Sequence, residues 1–193
     1  MIRRISILSL VGLLTASMLS CKAAPVVVTP MPTPAVPAGV KSYTSEEAKL
    51  SIQYPEEWIV ERTILEGLNA VLFRETVEEG APEFTILSGS AEGQTTDQVL
   101  DEALLLIQTL GGEVRKDWQV GEAEYATLGE RQGRQLFAEY TRAPSGVRHK
   151  VYLLGIVGHS LSYAFTADAP LDDWGQNWQI FEAMLASLRF GAE

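Results

Sequence analysis

The sequence predicts an α+β domain, a three-layer α/β/α sandwich with a central, mainly antiparallel sheet. Three observations predict it: short β-rich runs separated by Gly or Pro, one strongly capped helix in mid-chain, and a closing stripe of large apolar residues at helical spacing.

The first run, residues 49–54, alternates apolar and polar side chains at period two. Pro55-Glu56-Glu57 then turns the chain into a second strand at Trp58-Ile59-Val60. Residues 70–73 and 84–87 are two more β-rich runs, and the polar loop between them implies an antiparallel pair. Thr95-Thr96-Asp97-Gln98 has the form of a capping box, with Thr at the N-cap and Gln three residues later. It precedes Val99, Leu100, Ala103, Leu104, Leu106, Ile107 and Leu110, and Gly111-Gly112 supplies the stop. The apolar face of this helix is broad, so it should lie flat on a sheet.

Five further strands are predicted at 116–120, 122–127, 135–141, 148–157 and 161–166. Residues 151–157 show no alternation, which marks a central strand covered on both faces. Trp174, Trp178, Phe181, Leu185 and Leu188 recur at spacings of four and three, the single stripe of an amphipathic helix that would cover the second face.

Ahead of this body the chain has a different character. Arg3 and Arg4 precede an apolar stretch, residues 5–14, too short to span a bilayer, and the segment 1–20 reads as an export signal. The lone Cys of the chain, Cys21, follows Met18-Leu19-Ser20. This is similar to the lipobox of bacterial lipoproteins, with Met18 in place of the usual Leu, and it implies lipidation of Cys21 and a membrane anchor. The alternative is a buried core Cys behind a simple signal peptide. Residues 21–41 then form a Pro/Ala-rich tether, with five of the nine prolines between 25 and 37. Polyproline II geometry at ~3.1 Å per residue would hold the body up to ~50 Å from the lipid. Residues 42–191 are the folded domain, about 150 residues, enough for one core and too few for two.

Composition excludes several classes. A single Cys among 193 residues rules out an internal disulfide framework and a cysteine zinc cage, and two His rule out the common histidine-rich metal sites. A net charge of −10 argues against binding to nucleic acid. No cofactor motif of the GxGxxG or P-loop kind is present.

Leu50-Ser51-Ile52-Gln53-Tyr54-Pro55-Glu56-Glu57-Trp58, the later Val71-Leu72-Phe73, the helix ending Leu110-Gly111-Gly112, and the closing Ser187-Leu188-Arg189-Phe190 together resemble the PsbP family. The resemblance covers residues 43–190. It implies the α/β/α sandwich which that family shares with a Ran-binding nuclear-import factor and several bacterial envelope proteins and lipoproteins. In plants PsbP is an extrinsic subunit of the oxygen-evolving photosystem. No ligand-site residue of the family matches here, so no residue role is carried over.

Gly158-His159-Ser160-Leu161-Ser162 is one residue short of the nucleophile elbow of α/β-hydrolases. A strand follows it where that fold needs a helix, and no His lies downstream, so the segment reads as a hairpin turn and a hydrolase using Ser160 is the weakest hypothesis. His149, between Arg148 and Lys150, reads as a solvated turn residue. Glu56-Glu57 and Glu78-Glu79 lack the spacing of a calcium loop and read as solvated acids. Of Trp58, Trp118, Trp174 and Trp178, the last two fit the helix stripe, whereas Trp118 has polar neighbours and is the candidate partly exposed aromatic at a binding surface.

Charge is uneven along the chain: residues 40–112 hold 14 acidic and 4 basic side chains, whereas 129–150 hold five basic against two acidic. Arg131, Arg134, Arg142, Arg148 and Lys150 are therefore candidates, with Trp118, for a binding surface, provided the fold gathers them. The expected function is a non-enzymatic, lipid-anchored extracytoplasmic protein that binds a protein partner as an accessory or assembly factor of a membrane complex. The alternative is a carrier or sensor of an apolar or lipidic small molecule, held at the Trp178 and Phe181 face.

Overall fold

The computed structural model describes residues 39–191. The segments read as an export signal and a tether, up to residue 38, and Cys21 between them lie outside the described residues. The first two strands, β1 (Val40–Ser45) and β2 (Leu50–Pro55), form an antiparallel hairpin. Thus β1 begins two residues inside the segment read as tether. Pro55 ends the ladder, and the turn at Glu56-Glu57 sends β3 (Ile59–Leu65) into a different sheet, so the strand, proline turn, strand element crosses between two layers and is not a hairpin.

β3 pairs with β4 (Leu68–Arg74), and β4 with β5 (Glu83–Ser90), with residues 75–82 as the predicted polar loop between them. Helix α1 (Thr96–Gly111) follows. Its capping box is formed: Gln98 N donates to Thr95 Oγ1 at 3.2 Å, and Thr95 N donates to Gln98 Oε1 at 2.8 Å. Next come β6 (Arg115–Val120), β7 (Glu124–Leu128), β8 (Arg131–Arg142), β9 (Val147–Val157), β10 (Leu161–Pro170), helix α2 (Trp174–Ser187) and the short β11 (Arg189–Phe190). The main sheet runs β3-β4-β5-β10-β9-β8-β6, with β7 also paired to β8, and all its pairs are antiparallel. A small second sheet runs β1-β2-β11.

This is the expected α+β class. Helix α1 covers one face of the main sheet, and α2 with the small sheet covers the other. The fit of α1 depends on Gly155 of β9: a Cβ there would sit 2.9 Å from Leu100 N and 3.0 Å from Thr96 O, so only glycine lets the helix backbone rest directly on the central strand. Period two then sorts the core into two clusters. Leu136, Ala138, Tyr140, Val151 and Leu153 face α1, and Tyr152, Leu154, Ile156, Phe165 and Phe84 face α2. The small sheet is tied down by polar contacts. Gln53 N donates to Ser187 Oγ at 2.8 Å, and Tyr163 Oη donates to Ala48 O at 2.9 Å. Among the described residues no helix is long and apolar enough to cross a membrane.

Candidate functional site

The five candidate cations all lie on the β8–β9 hairpin, but strand geometry separates them. Eleven residue steps divide Arg131 from Arg142, about 36 Å of extended chain, and alternate residues point to opposite faces. On the α1 face, Arg134 pairs with Asp97 at 3.0 Å and donates to Ala123 O at 3.0 Å, and at the far end of β8 Arg142 pairs with Glu79 at 2.8 Å. On the α2 face, Arg131 lies over the Phe190 ring at 4.3 Å. Arg148, bridged to Glu139, and Lys150, over Phe137 at 4.8 Å and Trp174 at 5.5 Å, also lie there. Only Arg148 and Lys150 come together, so no continuous basic patch forms from the five.

Lys150 borders a platform of rings. Trp174 and Trp178, four residues apart on α2, stack at 5.5 Å, and Phe137 of β8 meets them edge-on at 6.3 and 5.7 Å. Tyr152, opposite Phe137 in the ladder, packs against Trp178 at 5.0 Å. Phe137 is more than one-third exposed and the two Trp rings are half-buried. Beneath them Phe181 is fully buried against Trp58, Phe84 and Trp174, with ring centroids 6.0 to 6.2 Å away. Rings fill the space between α2 and the sheet, so the groove expected at Trp178 and Phe181 for an apolar ligand is occupied by side chains.

The opposite face holds a polar cluster that the sequence reading missed. His149 is not a solvated turn residue; it is 1% exposed. The hairpin at 143–146 is tight enough that β9 is already paired at Val147, which puts His149 opposite Tyr140 and on the same face as Val151 and Leu153. Asp168, on β10, accepts from Tyr140 Oη at 2.7 Å and meets His149 Nδ1 at 2.8 Å and the Arg115 guanidinium at 3.5 Å. The Tyr140 ring stacks on His149 at 5.1 Å and lies 4.8 Å from Trp118. Burial first, and then the charge of Asp168, push the Tyr140 hydroxyl well above its ordinary pKa. The residue therefore serves as a hydrogen-bond donor across the accessible pH range. A signal for this cluster existed in the sequence: Asp168 interrupts the apolar run Ala167-Asp168-Ala169, where a charge needs a partner.

Trp118 reaches the cluster through a β-bulge. Lys116 pairs with Thr141 but Gln119 with Glu139, so β6 carries one extra residue, and Asp117 adopts a left-handed φ of 55°. The bulge lays the indole half-buried on Tyr140. It is therefore partly exposed, as its polar sequence neighbours suggested.

Beside the cluster lies a cleft of about 360 Å³ between the end of α1 and the 75–82 loop. Leu72, Leu87 and Ile107 form apolar lining, and Arg74, Arg115 and Arg142 supply guanidinium groups. Arg74 is held by Glu83 at 2.6 Å and Glu61 at 3.3 Å. Among the described residues no group of three or more His, Cys, Asp or Glu is arranged to hold a metal ion. Ser160 is an exposed residue of the turn joining β9 and β10, two antiparallel neighbours, as the hairpin reading required.

No family model and no curated protein sequence matches the chain. Solved structures do. The fold is similar to that of cyanobacterial PsbP (CyanoP) from Synechocystis sp. PCC 6803, with a TM-score of 0.59 at 14% identity over 79% of this chain and 93% of that one. It is also similar to LpqN, involved in cell envelope biogenesis of Mycobacterium tuberculosis, with a TM-score of 0.54 at 15% identity over 79% of this chain and 92% of that one. A Bacteroides thetaiotaomicron protein shares the fold at a TM-score of 0.52 and 15% identity, over 79% of this chain and 49% of its own. At these identities the likeness is one of fold: the chain has a PsbP-like fold.

Proposed function

We propose that this protein is a non-enzymatic, lipid-anchored extracytoplasmic accessory factor that docks a protein component of a membrane complex through the Phe137–Trp174–Trp178 platform. The observation that carries this reading is the platform itself: half-exposed rings held rigidly by stacking, with Lys150 and Arg148 at their edge. Rigid aromatics lose little conformational entropy on binding, and such rings with adjoining cations make the energetic centres of protein interfaces. The two cations favour a partner surface that is apolar with acidic residues around it.

The export signal and Cys21 support the location. The fold likeness to LpqN, a protein of cell envelope biogenesis, supports an envelope role. The tether would let the platform meet partners within ~50 Å of the anchor.

Crosslinking in native membranes, followed by mass spectrometry of the captured proteins, tests the docking. Wild type should repeatedly capture one component of a membrane complex. The double variant Phe137→Ala with Lys150→Glu should lose it, and Tyr125→Ala, an exposed change away from the platform, should keep it. Capture that survives the double variant sinks the platform as the docking surface. Metabolic labelling with a palmitate analogue tests the anchor: wild type should label and Cys21→Ser should not.

A further inference from the structure

We propose that the cleft on the α1 face is a binding site for a small amphipathic carboxylate, and that Glu79 occupies its anion position in the ligand-free protein. This site is on the opposite face of the main sheet from the docking platform, and it does not rest on that reading.

The three guanidinium groups in the cleft are balanced in different ways. Arg74 is held by two carboxylates from β3 and β5, and Arg115 by the buried Asp168 and by Ile107 O at 3.3 Å. Those partners are built into strands and a helix. Arg142 differs: its side chain is only 15% exposed, yet its carboxylate partner, Glu79, is 76% exposed and comes from the loop over the cleft. An exposed acid clipped onto a largely covered cation can be exchanged for another carboxylate at little loss, because the incoming group restores the same charge-assisted bonds.

The rim explains why the ligand would be amphipathic. Val77 is 70% exposed, Leu110 52% and Val114 37%, and all three line the cleft. Together with Leu72, Leu87 and Ile107 they offer an apolar path beside the guanidinium. A volume of about 360 Å³ suits a small organic molecule. The flanking Glu83 and Asp168 disfavour a dianion such as a phosphate monoester, so a monoanionic carboxylate is the class that fits. Gly80 keeps the loop close: its φ is +89°, and a Cβ there would lie 3.4 Å from Arg142 Cδ and 3.6 Å from His149 Nε2.

Titration of the purified protein with octanoate, and with octanol as the uncharged control, tests this by calorimetry. Octanoate should bind wild type, and Glu79→Gln should tighten it at least threefold by removing the internal competitor. Glu130→Gln, the same charge change at an exposed acid away from the cleft, should leave the affinity unchanged. Arg142→Gln should weaken binding about tenfold, and Leu110→Asp, an exposed rim change that spares the fold, should weaken it as well. Equal affinity for octanol, equal tightening by Glu130→Gln, or no octanoate binding to either wild type or Glu79→Gln would overturn the proposal.

Discussion

The two faces of the main sheet solve the same burial problem with different chemistry. On the α2 face the space is taken by interlocking rings, among them Phe73, Phe84, Phe165 and Phe181. On the α1 face smaller apolar residues surround Tyr140, His149 and Asp168, and a cleft remains open beside them. Apolar packing stabilises wherever it occurs, but a buried carboxylate must recover its lost hydration from specific partners. The ring face is therefore where stability is concentrated. The polar face keeps charged groups that stability alone does not require, and buried titratable clusters of that kind mark candidate sites.

This contrast can be broken by substitution. The largest effect is expected from Phe181→Ala, which empties the centre of the ring face and should cost about 3–5 kcal/mol in urea unfolding. A cost near 1 kcal/mol would mean the rings are loosely packed and the contrast is false. On the other face Asp168→Ala should cost about 3 kcal/mol, because it strands the Arg115 cation and the Tyr140 hydroxyl together. Tyr140→Phe, which removes one neutral donor, should cost only about 1 kcal/mol. The reverse order would place the weight of the cluster on the tyrosine.

Alkaline titration extends the comparison, since Tyr140 on one face and Tyr152 on the other both carry a raised pKa. Burial pushes Tyr152 on the α2 face from its ordinary 10.0 up to about 12. The folded protein thus holds a proton that the unfolded chain releases. The corresponding stability is complete below pH 10 and declines as pH rises towards 12, by on the order of 2 kcal/mol for Tyr152. Tyr140 acts in the same direction. Tyr152→Phe should flatten part of this decline, and tyrosinate absorbance should show a group ionising near 12 in wild type that is missing in the variant. Thr95→Ala, which opens the capping box of α1, should cost about 1 kcal/mol, as little as Tyr140→Phe, read from the same unfolding curves.

Much of the architecture was legible along the chain because its causes are local. The capping box needs only four consecutive residues, and it formed as read. The stripe from Trp174 to Leu185 needs only the helical period, and the Gly158–Ser160 segment needs only a turn between two β-rich runs. Where partners are distant the sequence reading failed. β1 has one buried side chain, Tyr43, in an otherwise exposed strand, so its pattern carries little signal. His149 looked solvated because its neighbours Arg148 and Lys150 are charged, but those two project to the opposite face. The candidate cations were grouped by proximity in sequence, and a twelve-residue strand places its ends far apart.

By itself, then, the sequence determined the α+β class, both helices with the start of α1, and the polar loop at 75–82. These follow from periodicity, caps and composition, which act over a few residues. Only the tertiary structure decided that Pro55 passes the chain between sheets, that two of five cations meet beside the Trp platform, and that Tyr140 and His149 reach Asp168 from 28 and 19 residues away. The physical reason is strand register: a side chain's face and its cross-strand neighbour depend on how separate strands align, and that alignment is set by packing between the layers.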